Sequence, residues 1–89
     1  MRLAKSESVI LTLLAARGDA YGLELVEASR GKLKRGGIYV TLGRMEEKGL
    51  VSSRAGDSGR RLYKPTALGE RALLAARVFS GQVPLKQLL

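Results

Sequence analysis

The chain has no cysteine, no histidine and no tryptophan, and only one phenylalanine and three tyrosines among 89 residues. Without Cys or His there is no disulfide framework, no zinc finger and no thiol or imidazole nucleophile. Any metal site would have to be built from carboxylates, and these number eight and are scattered. Neither a phosphate-binding loop nor a converging acidic pair occurs, so an enzyme is not expected, and no cofactor or metal is expected. Four aromatic residues also offer little surface for stacking unpaired bases, which disfavours an RNA-binding or protein-interaction role. Long apolar runs are missing as well, since nothing approaches the roughly 18 residues of a membrane span. Val9 to Ala16, behind Arg2 and Lys5, resembles the core of a secretory signal. It is short, is preceded by Ser6-Glu-Ser8 and runs at once into Arg17, so it is read as a buried helix in a cytoplasmic, nucleoid-associated protein.

What is present is positive charge. Sixteen Lys and Arg against eight Asp and Glu give a formal +8, which implies attraction to a polyanion. Double-stranded DNA ranks first among partners, ahead of a merely solvated basic surface and of a membrane surface. A chain of this length is one domain and hides only about 60 to 65% of the surface its extended form would expose.

Apolar spacing gives four helices. The first spans about Ser6 to Arg17, with Ser6 as N-cap, Val9, Ile10, Leu13 and Leu14 as its stripe, and Gly18 as its stop. The second covers roughly Tyr21 to Arg30 and buries Leu23 or Leu25 with Val26. The third occupies about residues 35 to 48 and ends at Gly49. Winding it at about 100° per residue puts Ile38, Leu42 and Met45 on one face and Gly36, Val40, Gly43, Arg44 and Glu47 on the other. Leu50 to Ala55 and Arg61 to Lys64 read as strands around the turn Gly56-Asp-Ser-Gly59. Pro65 stops the second strand, and Thr66 caps a fourth helix over residues 67 to 79, with Leu68, Ala72, Ala75 and Phe79 on one stripe and Leu74 and Val78 beside it.

Three helices, a two-stranded hairpin and a C-terminal helix make a mainly α winged helix-turn-helix. The expected organisation is a DNA-binding domain over residues 4 to 79, its last helix serving dimerisation, and a short apolar tail over residues 80 to 89.

The residues from about Val9 to Leu74 resemble the PadR family of winged-helix transcriptional regulators. Ile10-Leu-Thr-Leu-Leu-Ala-Ala-Arg-Gly-Asp-Ala-Tyr-Gly-Leu-Glu-Leu25 is similar to the family's Leu-rich first helix, turn and Tyr-Gly-x-Glu-Ile opening of helix two. Gly36-Gly-Ile-Tyr-Val-Thr-Leu-Gly-Arg-Met-Glu-Glu-Lys-Gly-Leu-Val51 is similar to its Gly-Thr-Leu-Tyr-Pro-Thr-Leu-x-Arg-Leu-Glu-x-x-Gly-Leu-Ile signature. Arg60-Arg-Leu-Tyr-Lys-Pro-Thr-Ala-Leu-Gly69 matches its wing exit. The chain departs from the pattern at Gly37, Val40 and Gly43, where the family usually has Thr, Pro and a larger residue. The resemblance implies a transcriptional regulator that dimerises through C-terminal helices, although this chain's C-terminal portion is short. It also implies that small planar compounds can act as effectors at a dimer centre, which little aromatic surface here supports.

Candidate DNA contacts follow. Arg44 has a planar fork suited to guanine edges or phosphate. Lys34 and Arg35 sit where the third helix presents free N–H groups to a phosphate. Tyr39 offers a ring for packing and a hydroxyl for phosphate, and Thr41 flanks the opposite border of the stripe. Val40 can touch a thymine methyl, the missing side chain at Gly43 lets the helix seat deeply, and Gly37 lies on or near the same groove-facing side. Arg60, Arg61 and Lys64 place charge on the hairpin for backbone or minor groove, with Arg54 as a weaker member. Glu46 and Glu47 are expected only to pair with cations one turn away. The wide apolar arc of the last helix, through Leu74, Val78 and Phe79, joins tail residues Leu85 and Leu88 to favour a homodimer. The rival is that Leu85, Leu88 and Leu89 fold back on the protomer's own core. The function expected is a dimeric repressor at an inverted-repeat operator; the alternative is a plasmid or phage partition or nucleoid-type adaptor.

Overall fold

The computed structural model describes residues 2–82 together with Pro84 and Lys86. Helix α1 runs Lys5–Arg17, strand β1 Ala20–Tyr21, helix α2 Gly22–Ala28, helix α3 Ile38–Glu47, strand β2 Val51–Ala55, strand β3 Arg61–Pro65 and helix α4 Ala67–Phe79. The winged helix-turn-helix order is thus present, with one addition. The sheet has three strands in the order β1-β3-β2, all antiparallel. Tyr21, expected in the second helix, belongs instead to β1, where it pairs with Leu62 while Ala20 pairs with Tyr63. A two-residue strand carries no alternation of its own, so only its partner reveals it.

Helix boundaries shift for local reasons. The N-cap of α1 is Ala4, not Ser6, because the Glu7 carboxylate accepts the Ala4 N–H at 2.8 Å and does the capping from inside the first turn. Helix α2 stops at Ala28. Ser29, buried, accepts the Leu33 N–H and donates to the Val26 carbonyl, and Arg30 and Gly31 then turn the chain with φ of 52° and 90°. Leu25, not Leu23, is the leucine that α2 buries, and Val26 is half-buried beside it. Helix α3 begins at Ile38, after a Gly36-Gly37 pair with poor helix propensity, so Lys34 and Arg35 lie in the preceding turn.

One core joins all the elements. Ile10, Leu11 and Leu14 of α1 meet Leu25, Ile38, Leu42, Met45, Leu50 and Val51. Helix α4 is rotated from the expected stripe: Gly69, Ala72 and Leu73 face inward, whereas Leu68 is exposed and Ala75 half-buried. The cause is Gly69, which packs directly on the Leu50 backbone carbonyl where a β-carbon has no room. Thr66 caps α4 as expected, accepting the Gly69 N–H at 3.0 Å while donating to the Gly49 carbonyl. Gly81, with φ of 78°, ends α4 by a Schellman-type bond from the Gln82 N–H to the Arg77 carbonyl.

Candidate nucleic-acid interface

Helix α3 is fixed by one side only. Ile38, Leu42 and Met45 are buried, and Tyr39 and Val40 are 51% and 57% exposed. Arg44 and Glu47 are exposed too, and no heavy atom lies within 4 Å of where a β-carbon on Gly43 would stand. The described residues therefore leave the outer face of α3 uncovered. Buried Leu33 and Ile38 pin the turn between them, so Lys34, Arg35, Gly36 and Gly37 ride on its outside. Among the described residues no side chain caps the N-terminus of α3, leaving its first N–H groups open beside those two cations. Thr41 is half-buried at the border of the two faces.

The wing contributes unevenly. Its tip is a tight turn, Asp57–Gly59, with Ser58 left-handed at φ 56° and the Gly56 N–H bonded to the Arg60 carbonyl at 2.7 Å. Arg60 lies over the Tyr21 ring, 4.0 Å from its centroid. Arg61 donates to Ser53 Oγ at 3.1 Å, and that hydroxyl donates to Glu46 Oε2 at 2.7 Å, tying both wing strands to the last turn of α3. Glu46 thus meets a serine of the wing; the cation one turn away that the spacing suggested is not its partner. Tyr63 sits on this same side of the sheet. Burial and the nearby Glu46 carboxylate raise its phenol above the usual tyrosine value, with Arg61 pulling the other way.

Lys64 is not brought to this face. It borders a recess on the other side with Leu14, Gly18, Asp19 and Glu70. Arg54 is likewise occupied, in an ion pair with Asp19 at 2.7 Å. Among the described residues, Lys34, Arg35, Arg44 and Arg60 make no ion pair, so their charge is available to a ligand.

The end of α4 carries exposed apolar surface. Phe79 is 93% exposed and, with Arg2, Leu3 and Ala76, lines a recess of about 530 Å³, while Leu74 and Val78 are half-buried. Leu85, Leu88 and Leu89 lie outside the described residues. No group of acidic side chains suited to a metal occurs among the described residues, and no helix there is long and apolar enough to cross a membrane.

Two residues that the sequence did not single out for the interface are Tyr21 and Gly22. The Tyr21 hydroxyl accepts the Asp57 N–H at 3.0 Å, and Gly22 is buried against the Tyr39 ring. Their only sequence signal is the Tyr-Gly pair itself, with a glycine where a helix would prefer alanine.

A family model described as the transcriptional regulator PadR-like family matches residues 10–75. No curated protein sequence matches the chain. Among solved structures, RosR of H. salinarum is 28% identical, covering 88% of this chain and 74% of its own, with a TM-score of 0.73. A transcriptional regulator from Clostridium thermocellum is 25% identical, covering 86% and 91%, with a TM-score of 0.66. A mutant MarR from E. coli, complexed with operator DNA, is 19% identical with a TM-score of 0.79; it covers 97% of this chain, which spans 61% of that one. At such identity the MarR likeness concerns the fold alone.

Proposed function

The chain belongs to the PadR-like family of DNA-binding transcriptional regulators, and from that premise we propose that it acts in the cytoplasm as a homodimeric repressor. The observation that carries this reading is the outer face of α3, held by three buried residues yet left uncovered by the described residues, beside Lys34, Arg35 and Arg60, which make no ion pair among them. In the proposed complex α3 lies in the major groove. Arg44 reaches a guanine edge or phosphate, and Val40 meets a thymine methyl. Lys34, Arg35, the open N–H groups in the first turn of α3 after Gly37 and the Tyr39 hydroxyl hold phosphates, and Thr41 supports the same strand. Arg60 follows the adjacent minor groove with Arg61 behind it, and Lys64, on the sheet's other side, adds only to the long-range field.

The exposed Phe79, with Leu74, Val78 and the apolar tail residues Leu85 and Leu88, is proposed as the dimer contact. A twofold dimer sets two copies of α3 about 34 Å apart and implies an inverted-repeat operator. The deciding experiment is selection of bound duplexes from a random library, followed by mobility-shift titration across salt concentrations. A dimer neutralising on the order of six phosphates gives a log–log salt slope of about −5. Arg44→Ala is expected to lose about 1–3 kcal/mol on the selected duplex and to relax preference at one base position. Equal binding to all duplexes at every salt, or cooperative coating without a preferred site, would remove the repressor reading; the second would fit a nucleoid-type adaptor.

Gly43 separates folding from binding. A methyl group there meets no protein atom and replaces a helix-interior glycine, so Gly43→Ala is expected to raise stability by about 0.5–1 kcal/mol. The same methyl projects from the face proposed to enter the groove, so affinity for the selected duplex should fall. Thermal unfolding and titration of one variant read both signs; a fall in stability, or unchanged affinity, would contradict this seating of the helix.

A further inference from the structure

Taking the DNA-binding reading as its basis, we infer that the dipeptide Tyr21-Gly22 is the joint that sets the wing relative to α3, and that Tyr21 is a positioning residue for Arg60. Tyr21 touches the wing tip in three ways. Its hydroxyl accepts the Asp57 N–H at 3.0 Å, its ring carries the Arg60 guanidinium at 4.0 Å, and Gly56 passes so close that a β-carbon would stand 2.5 Å from the ring. The next residue touches the recognition helix: a β-carbon on Gly22 would stand 2.7 Å from Tyr39 Cε1. One peptide unit therefore separates the support of the wing tip from the support of the first turn of α3.

The tip needs such a support. Strand β1 pairs with β3 only as far as Leu62, so residues 56 to 60 project past the three-stranded part of the sheet. Short turns with few buried contacts open most readily. Arg60 also donates Nε–H to the Asp57 carbonyl at 3.3 Å, so both its ring contact and its hydrogen bond hold the side chain in one orientation. A guanidinium already ordered before DNA arrives loses less side-chain freedom on binding. The second tie, from Arg61 through Ser53 to Glu46, fixes the two wing strands to the other end of α3. Between them the two ties hold wing and helix as one reading head.

The test uses the duplex that wild-type protein selects from a random library, with hydroxyl-radical footprinting and mobility-shift titration. Tyr21→Leu is expected to bind about three- to tenfold more weakly, with loss of protection confined to the flanking minor groove and the central backbone protection intact. Tyr21→Phe, which keeps the ring under Arg60, should recover most of the flank protection. Tyr21→Leu and Arg60→Ala should be non-additive, since both remove one ordered guanidinium. Arg60→Lys provides an arm that does not depend on folding, because Arg60 is exposed; it keeps the charge but lacks the planar group that stacks on Tyr21, and should weaken flank protection in the same way. Wild-type flank protection in Tyr21→Leu or Arg60→Lys, or full additivity with Arg60→Ala, would overturn the joint. A wild-type protein that selects no duplex would instead remove the DNA-binding reading beneath it.

Discussion

Gly69→Ala is expected to destabilise the protein by about 3 kcal/mol or more, lowering the thermal midpoint by more than ~12 °C. Helix propensity alone predicts the reverse, a gain of about 0.5–1 kcal/mol for alanine over a helical glycine. The clash decides the sign. A β-carbon on Gly69 falls well inside van der Waals contact with the Leu50 carbonyl oxygen, and it also stands 3.1 Å from Leu11 Cδ2. The carbonyl has nowhere to go, because it accepts the Thr66 N–H at 3.1 Å while the neighbouring Gly49 carbonyl accepts the Thr66 hydroxyl. Relief requires α4 to move away from the corner that joins α3 to the wing, opening the core at Leu11 and Leu73. Gly36→Ala is the control, since nothing lies within 4 Å of its β-carbon, and it should stay within about 0.5 kcal/mol of wild type. Thermal unfolding by circular dichroism compares the two, and a Gly69→Ala midpoint within ~3 °C of wild type would refute the close approach.

The same glycine shows where sequence reasoning succeeds and where it stops. The two faces of α3 are legible because Ile38, Leu42 and Met45 repeat at helical spacing, and burial follows a period that the chain itself carries. The cap at Thr66 and the left-handed Gly49 after α3 are local chemistry and equally legible. The rotation of α4 was not, because it is set by backbone approaching backbone across 19 residues; Leu68 looks like core until Gly69 takes the inward position. Strand β1 exists only as a partner of β3. The wing's cations illustrate the same limit within the site. Arg60, Arg61 and Lys64 are alike in sequence, but stacking on Tyr21, bonding to Ser53 and placement on the opposite sheet face give them three different environments.

Long-range polar pairing is the other thing spacing cannot show, and Lys48→Met should expose it. Glu7 is only 4% exposed, with Oε1 accepting the Ala4 N–H at 2.8 Å and Oε2 accepting from Lys48 Nζ at 2.7 Å. Removing the lysine leaves a buried carboxylate with one partner. Breaking a fully buried pair costs about 3–5 kcal/mol; the Lys48 side chain is 47% exposed, so screening reduces the expected loss to about 2 kcal/mol at pH 7. Acid should narrow the gap. Burial pushes the Glu7 carboxyl up, but hydrogen bonds from Lys48 and Ala4 and the charge of Lys48 outweigh it and hold the native value below 4.5. Glu7 therefore stabilises the wild type fully above its unfolded value and loses that contribution as pH falls through the lower native one. In Lys48→Met burial dominates, the native carboxyl moves upward, and protonation on acidification relieves the fold instead. Urea unfolding at several pH values between 7 and 4 should show the variant converging on wild type. A difference constant over that range would mean that the Glu7–Lys48 pair does not hold α1 to the end of α3.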